Sequence, residues 1–107
     1  DLKTWLEKPL TDIPQNKDEL LLKLFFSAST DKKDLLHELH LQRKLHQEQL
    51  NTYLHVTTKV IADAALENPA CSRDAILWDA TRRMGELYEK AYLQWIDETI
   101  QTIESKL

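Results

Sequence analysis

Apolar residues along the chain fall into four segments separated by polar or Pro-containing breaks, and their spacing is helical. In the first, Leu2, Trp5 and Leu6 share a face, and the run stops ahead of Pro9, whose ring disfavours helix in the residue before it. A short helical end from Asp1 to Lys8 is predicted, followed by a polar connection through Pro9, Asp12, Pro14, Gln15 and Asn16. Asn16 with Glu19 three residues later reads as a capping box, each side chain satisfying an amide of the first turn. The helix it opens should run from about Lys17 to Ala28. Leu20, Leu21, Leu22, Leu24, Phe25 and Phe26 cover nearly its whole circumference, which places it in a groove between other helices.

Ser29, Thr30 and Asp31 break that helix and offer cap oxygens to the next, which meets no Gly or Pro before Asn68-Pro69 and is predicted to reach about Leu66. Ser72 or Asn68 caps the last helix, with Pro69 acceptable in its first turn in the second case, and nothing interrupts it before Leu107. Each long helix has about 35 residues, roughly 50 Å at 1.5 Å per residue. A short turn between near-equal helices implies an antiparallel hairpin. The fold class is therefore all-α, a single domain over 1–107 with short N-terminal helices and a coiled-coil-like hairpin.

The last helix carries two apolar stripes side by side. Leu77, Met84, Tyr88, Ala91 and Trp95 form one; Ile76, Tyr92, Ile96, Ile100, Ile103 and Leu107 form the other. One stripe serves the hairpin, and the other needs a second surface, because a monomer rarely leaves so large an apolar patch open. The simplest second surface is another copy of the chain in a two-fold dimer; a further domain of the same chain is the alternative. The residues expected at helix seams and at the dimer interface are Leu36, Leu39, Leu50, Tyr53, Trp78, Met84, Tyr88, Tyr92, Trp95, Ile96 and Ile100. The outer faces read as solvated, with Asp79 and Arg83, and Glu86 and Lys90, paired at i,i+4.

Composition narrows the functional classes. A net charge of -4 leaves this segment without the cationic footprint that phosphate neutralisation requires, so it does not contact nucleic acid itself. Cys71 is the single cysteine; it excludes an intrachain disulfide, fits a reducing cytoplasm and reads as structural. The apolar run at Leu20 is far shorter than the ~20 residues of a membrane span. There is no signal peptide, and with Met84 as the only Met the chain reads as cut from something longer.

Catalytic chemistry finds no foothold. His37-Glu38-Leu39-His40 lacks the one-turn spacing of two His with Glu beside the first that a zinc protease helix needs, so no metal site is assigned. The only glycine, Gly85, lies inside a helix, which excludes a phosphate-cradling loop, and no nucleophile with base and orienter can be assembled. No enzyme activity and no cofactor are expected. The middle of the first long helix is polar around Leu45; Arg43 and His46 read as solvated, or else as seam residues that set register. Trp78, Tyr88 and Trp95 could wall a pocket for a planar ligand, though core or interface packing is the better reading of such rings.

Leu2-x-x-Trp5-Leu6 with Pro9, then Asp18-Glu19-Leu20-Leu21-Leu22-Lys23-Leu24-Phe25-Phe26, Asn68-Pro69-Ala70, and Ala91-Tyr92-Leu93-Gln94-Trp95-Ile96 together resemble the C-terminal region of PadR-type transcriptional regulators, in the virulence-activator (AphA-like) subgroup. The resemblance covers essentially the whole chain. It implies a cytoplasmic homodimerisation domain that follows a winged-helix DNA-binding domain, which would lie before Asp1, so no DNA-contact residue is carried over. It also implies that a small-molecule effector, phenolic or otherwise aromatic, could be sensed by such a regulator.

Overall fold

A computed structural model describes residues 1–13 and 18–107. The described residues are helical with no strand: α1 (Leu2–Glu7), α2 (Glu19–Phe25), α3 (Lys32–Asn51), a π-helical turn (Thr52–Thr57), α4 (Thr58–Glu67), a 3-10 turn (Pro69–Cys71) and α5 (Ser72–Lys106). From Lys32 to Glu67 the chain is one continuous rod, so the architecture is two long helices preceded by two short ones.

The breaks form where polar side chains outcompete the helical ladder. Asp31 accepts the amide of Lys33 and starts α3, and Asn68 accepts that of Ala70 with Pro69 in the first turn. The 3-10 turn runs straight into α5, whose own start has no side-chain cap; of the two expected caps, Asn68 is used and Ser72 is not. The cap of α2 is Asp18, whose carboxylate accepts the amides of Leu20 and Leu21. Asn16, the expected cap, lies outside the described residues.

The hairpin closes through contacts whose α5 partners step back as α3 advances: Lys32 with Glu104 and Leu107, Arg43 with Asp97, His46 with Glu89, Tyr53 with Gly85. That progression is the antiparallel register. The apolar core sits at the end where α2 lies against the hairpin, and consists of Leu20, Leu39, Tyr92, Ile96, Ile100 and Ile103, flanked by Leu24, Leu35, Leu36 and Trp95. Leu39 and Ile96 are fully buried.

Three expectations are corrected. The second helix is seven residues long, not twelve, and only Leu20 and Leu24, one turn apart, reach the core. Leu21, Leu22, Phe25 and Phe26 stay exposed, because a single short helix lying on a hairpin offers it only one face. His46 turns inward rather than to solvent, held by Glu89, whereas Arg43 reaches Asp97 across the hairpin and stays partly solvated. Asp79 pairs with Arg82, not Arg83; Arg83 turns to Glu86, where Arg82 and Lys90 also converge.

Candidate functional site

Two features stand out from the helical frame: a polar layer across the hairpin and an apolar face left open on α5. The polar layer lies just beyond the core. His46 Nδ1 meets Glu89 Oε2 at 2.5 Å, and its ring stacks on Tyr92 at 3.8 Å between centroids and 15° between planes. Glu89 is only 6% exposed, so His46 supplies the hydrogen bond its carboxylate needs in exchange for lost water. Burial pushes the Tyr92 phenol well above its ordinary range, and the nearby Asp18 carboxylate pushes it further. Asp18 thus lies where the start of α2 meets α5, and its carboxylate caps its own helix.

One turn before Glu89, the Glu86 carboxylate lies under Arg82, Arg83 and Lys90 and is 4% exposed. Hydrogen bonds from Lys90 and then Arg82 bring it down to about 2. All four side chains belong to α5, so the cluster stiffens that helix and covers its carboxylate without the help of α3.

Further along, the Tyr53 ring lies flat over the α5 backbone at Gly85. A methyl group there would sit 2.6 Å from the ring carbon that bears the hydroxyl. A glycine inside a helix costs roughly 0.5–1 kcal/mol relative to alanine, and here it makes room for an aromatic side chain from the π-helical turn.

The second feature is a face. Of the two apolar stripes on α5, the one with Tyr92, Ile96, Ile100 and Ile103 is buried in the hairpin, although its ends, Ile76 and Leu107, are exposed. The other stripe stays open: Leu77, Met84, Tyr88 and Ala91 are exposed and Trp95 is half-buried. At its far end Leu21, Tyr88, Ala91, Tyr92 and Trp95 line a shallow apolar recess of about 280 Å³.

The expected seam residues divide accordingly. Leu39, Leu50, Tyr92, Ile96 and Ile100 are buried within the chain, Leu36 and Tyr53 are half-buried at the hairpin, and Trp78, Met84 and Tyr88 face outward. Of the three rings considered for a pocket, Tyr88 and Trp95 share the recess; Trp78 lies outside it, more than two turns away along α5. The residues that sequence reasoning missed are Glu89 and Asp18. Glu89 sits seven residues before Ile96, in the inward-facing heptad position, and that spacing was the available signal.

His37 and His40 are exposed, and among the described residues no three His, Cys, Asp or Glu side chains gather where they could hold a metal ion. Nor is any helix among them long and apolar enough to cross a membrane. Cys71 is half-buried beside Asn68, whose side-chain amide lies 3.4 Å from its sulfur.

No curated protein and no solved structure matches the chain. The family model described as the virulence activator alpha C-terminal region matches residues 16–104, from the approach to α2 almost to the end of α5. With most of its length matched, the chain belongs to the virulence activator alpha C-terminal family, a family of regulatory domains.

Proposed function

We propose that this chain is the homodimerisation domain of a PadR-type transcriptional regulator in the bacterial cytoplasm, pairing two winged-helix domains carried upstream so that they meet two half-sites on DNA. The observation that carries the reading is the open apolar stripe of α5. A helix that has already buried one face in its hairpin exposes Leu77, Met84 and Tyr88 on another, beyond what a solvated helix retains. The fit to a regulatory family and the resemblance of Trp5, Leu20–Phe26 and Ala91–Ile96 to PadR-type proteins supply the context.

A two-fold dimer of this domain would impose its symmetry on whatever it carries, which is how such proteins match pseudo-palindromic DNA. The domain itself, acidic and without a site for reactive chemistry among its described residues, acts by holding geometry. Light scattering on the eluting peak of a size-exclusion column tests this: a mass near twice 12.6 kDa is expected, and a peak at the single-chain mass at tens of micromolar contradicts it.

A second reading, an effector-sensing domain, is favoured by one specific observation, the aromatic-walled recess at Tyr88, Tyr92 and Trp95. Its walls are apolar, which suits a planar aromatic ligand. Titration with a panel of small phenolic and aromatic acids, followed by Trp fluorescence, should show saturable quenching that Trp95→Phe abolishes; a flat response across the panel sinks this reading.

A further inference from the structure

We infer that the polar cleft where α2 lies against the hairpin binds a small aliphatic diamine, with Asp18 and Glu38 each taking one ammonium group and the rings of Tyr88 and Tyr92 covering the carbon chain between them. The cleft is separate from the apolar recess, with which it shares only Tyr88 and Tyr92, and it needs no second copy of the chain.

Three elements build it. The start of α2 brings Asp18 and Glu19, α3 brings Glu38, Gln42 and His46, and α5 brings the two tyrosines. Glu38, Gln42 and His46 follow one another at four-residue steps, as do Tyr88 and Tyr92, so each long helix presents its set along one line. The space they enclose is about 340 Å³, at the small end of ligand pockets. His46 is already committed, its Nδ1 to Glu89 and its ring to Tyr92. Glu38 and Gln42 are half-buried, and among the described residues neither has an ion-pair or side-chain hydrogen-bond partner. Polar groups that have lost part of their water and gained no protein partner favour a ligand that supplies one.

Charge sets the class of ligand. Asp18, Glu19 and Glu38 face a single ammonium group, that of Lys23, which pairs with Glu19 at 3.9 Å. With His46 neutral, two negative charges remain, on Asp18 and Glu38. Oδ1 of Asp18 accepts the amides of Leu20 and Leu21, which leaves Oδ2 for a cation. An aromatic acid is repelled by such a lining. The acidic groups also do not converge on a point, because among the described residues no three His, Cys, Asp or Glu side chains gather as metal ligands do. The charge is divided between α2 and α3, and the matching cation carries two positive centres on a spacer. Tyrosine suits that spacer, since its ring covers methylene groups and its face attracts ammonium.

Isothermal titration calorimetry with putrescine, at physiological ionic strength to screen diffuse attraction, tests the site. One saturable site per chain is expected. Butylamine, with the same carbon chain and a single ammonium group, should bind at least tenfold more weakly, and magnesium ions should not compete. Glu38→Gln and Asp18→Asn should each weaken putrescine at least tenfold, the scale of one lost hydrogen bond between charged groups; asparagine still caps α2. Glu67→Gln removes the same charge from an exposed position at the far end of α4 and should leave binding unchanged. Absence of saturable binding overturns the inference. So does binding that magnesium displaces, that butylamine matches, or that Glu67→Gln weakens as much as Glu38→Gln, since each means that an acidic chain gathers cations without a built cleft. Bound putrescine should also slow hydrogen exchange across α2, because the ligand joins that helix to the hairpin; unchanged exchange there places the ligand elsewhere and overturns the assignment.

Discussion

Glu89 and His46 show how a polar pair is tolerated beside an apolar core. The carboxylate has given up nearly all of its water and keeps one strong partner in exchange. Removing that partner leaves a buried acceptor unsatisfied, which costs about 1–3 kcal/mol. His46→Ala is accordingly expected to lower the unfolding free energy measured in urea by that amount, and Glu89→Gln by less. Gly85 and Tyr53 form a second residue-level test. Gly85→Ala should destabilise the hairpin despite the better helix propensity of alanine, because the half-buried Tyr53 ring has to move. In a Tyr53→Ala background the same change should become stabilising by about 0.5–1 kcal/mol. A double-mutant cycle by chemical denaturation reads both signs, and the same effect in both backgrounds would refute the close-packing account.

Charge adds a pH dependence at this scale. Glu86 is held down to about 2 by Lys90 and Arg82, so its folded value lies below the ordinary carboxylate value that it regains on unfolding. Its contribution is present above the unfolded value and is lost as pH falls from there through about 2. Glu86→Gln should lower the melting temperature at pH 7, and by progressively less as pH falls towards 2. Tyr92 has the opposite sense: a phenol raised by burial favours the folded state below its unfolded value near 10, and that stability is lost as pH rises beyond it.

Among the elements, α2 depends most on a single residue. Its seven residues are far too few to form a stable helix alone, and Asp18 caps it by accepting two amides of its first turn. Asp18→Ala should cost about 1–2 kcal/mol and increase hydrogen exchange across Leu20–Phe25 first; unchanged protection there would show that Leu20 and Leu24 alone hold the helix. The long helices were legible in the sequence because Asp31, Asn68 and Pro69 bracket runs without a breaker. Their register was not, since it is fixed by cross-hairpin pairs such as Arg43 with Asp97, which are distant in sequence. The apolar run of α2 misled for a related reason. Composition marks Leu21, Leu22, Phe25 and Phe26 as apolar without saying whether their cover comes from the same chain. The π-helical turn at Thr52–Thr57 left no mark in the hydrophobic pattern, although the lone Gly85 opposite it is its trace on the partner helix.

At the scale of the whole molecule, the chain extends 56 Å along its longest axis, and its hairpin buries one apolar stripe of α5 and presents the other. The role proposed for it follows from that asymmetry: the open stripe pairs two copies, and the pair would bring together the DNA-reading domains they carry. Sedimentation equilibrium on the chain and on its Met84→Asp variant, side by side, tests it most directly. The account predicts a concentration-dependent dimer of the 12.6 kDa chain and a variant displaced more than tenfold towards monomer. A chain that stays monomeric at tens of micromolar would contradict it.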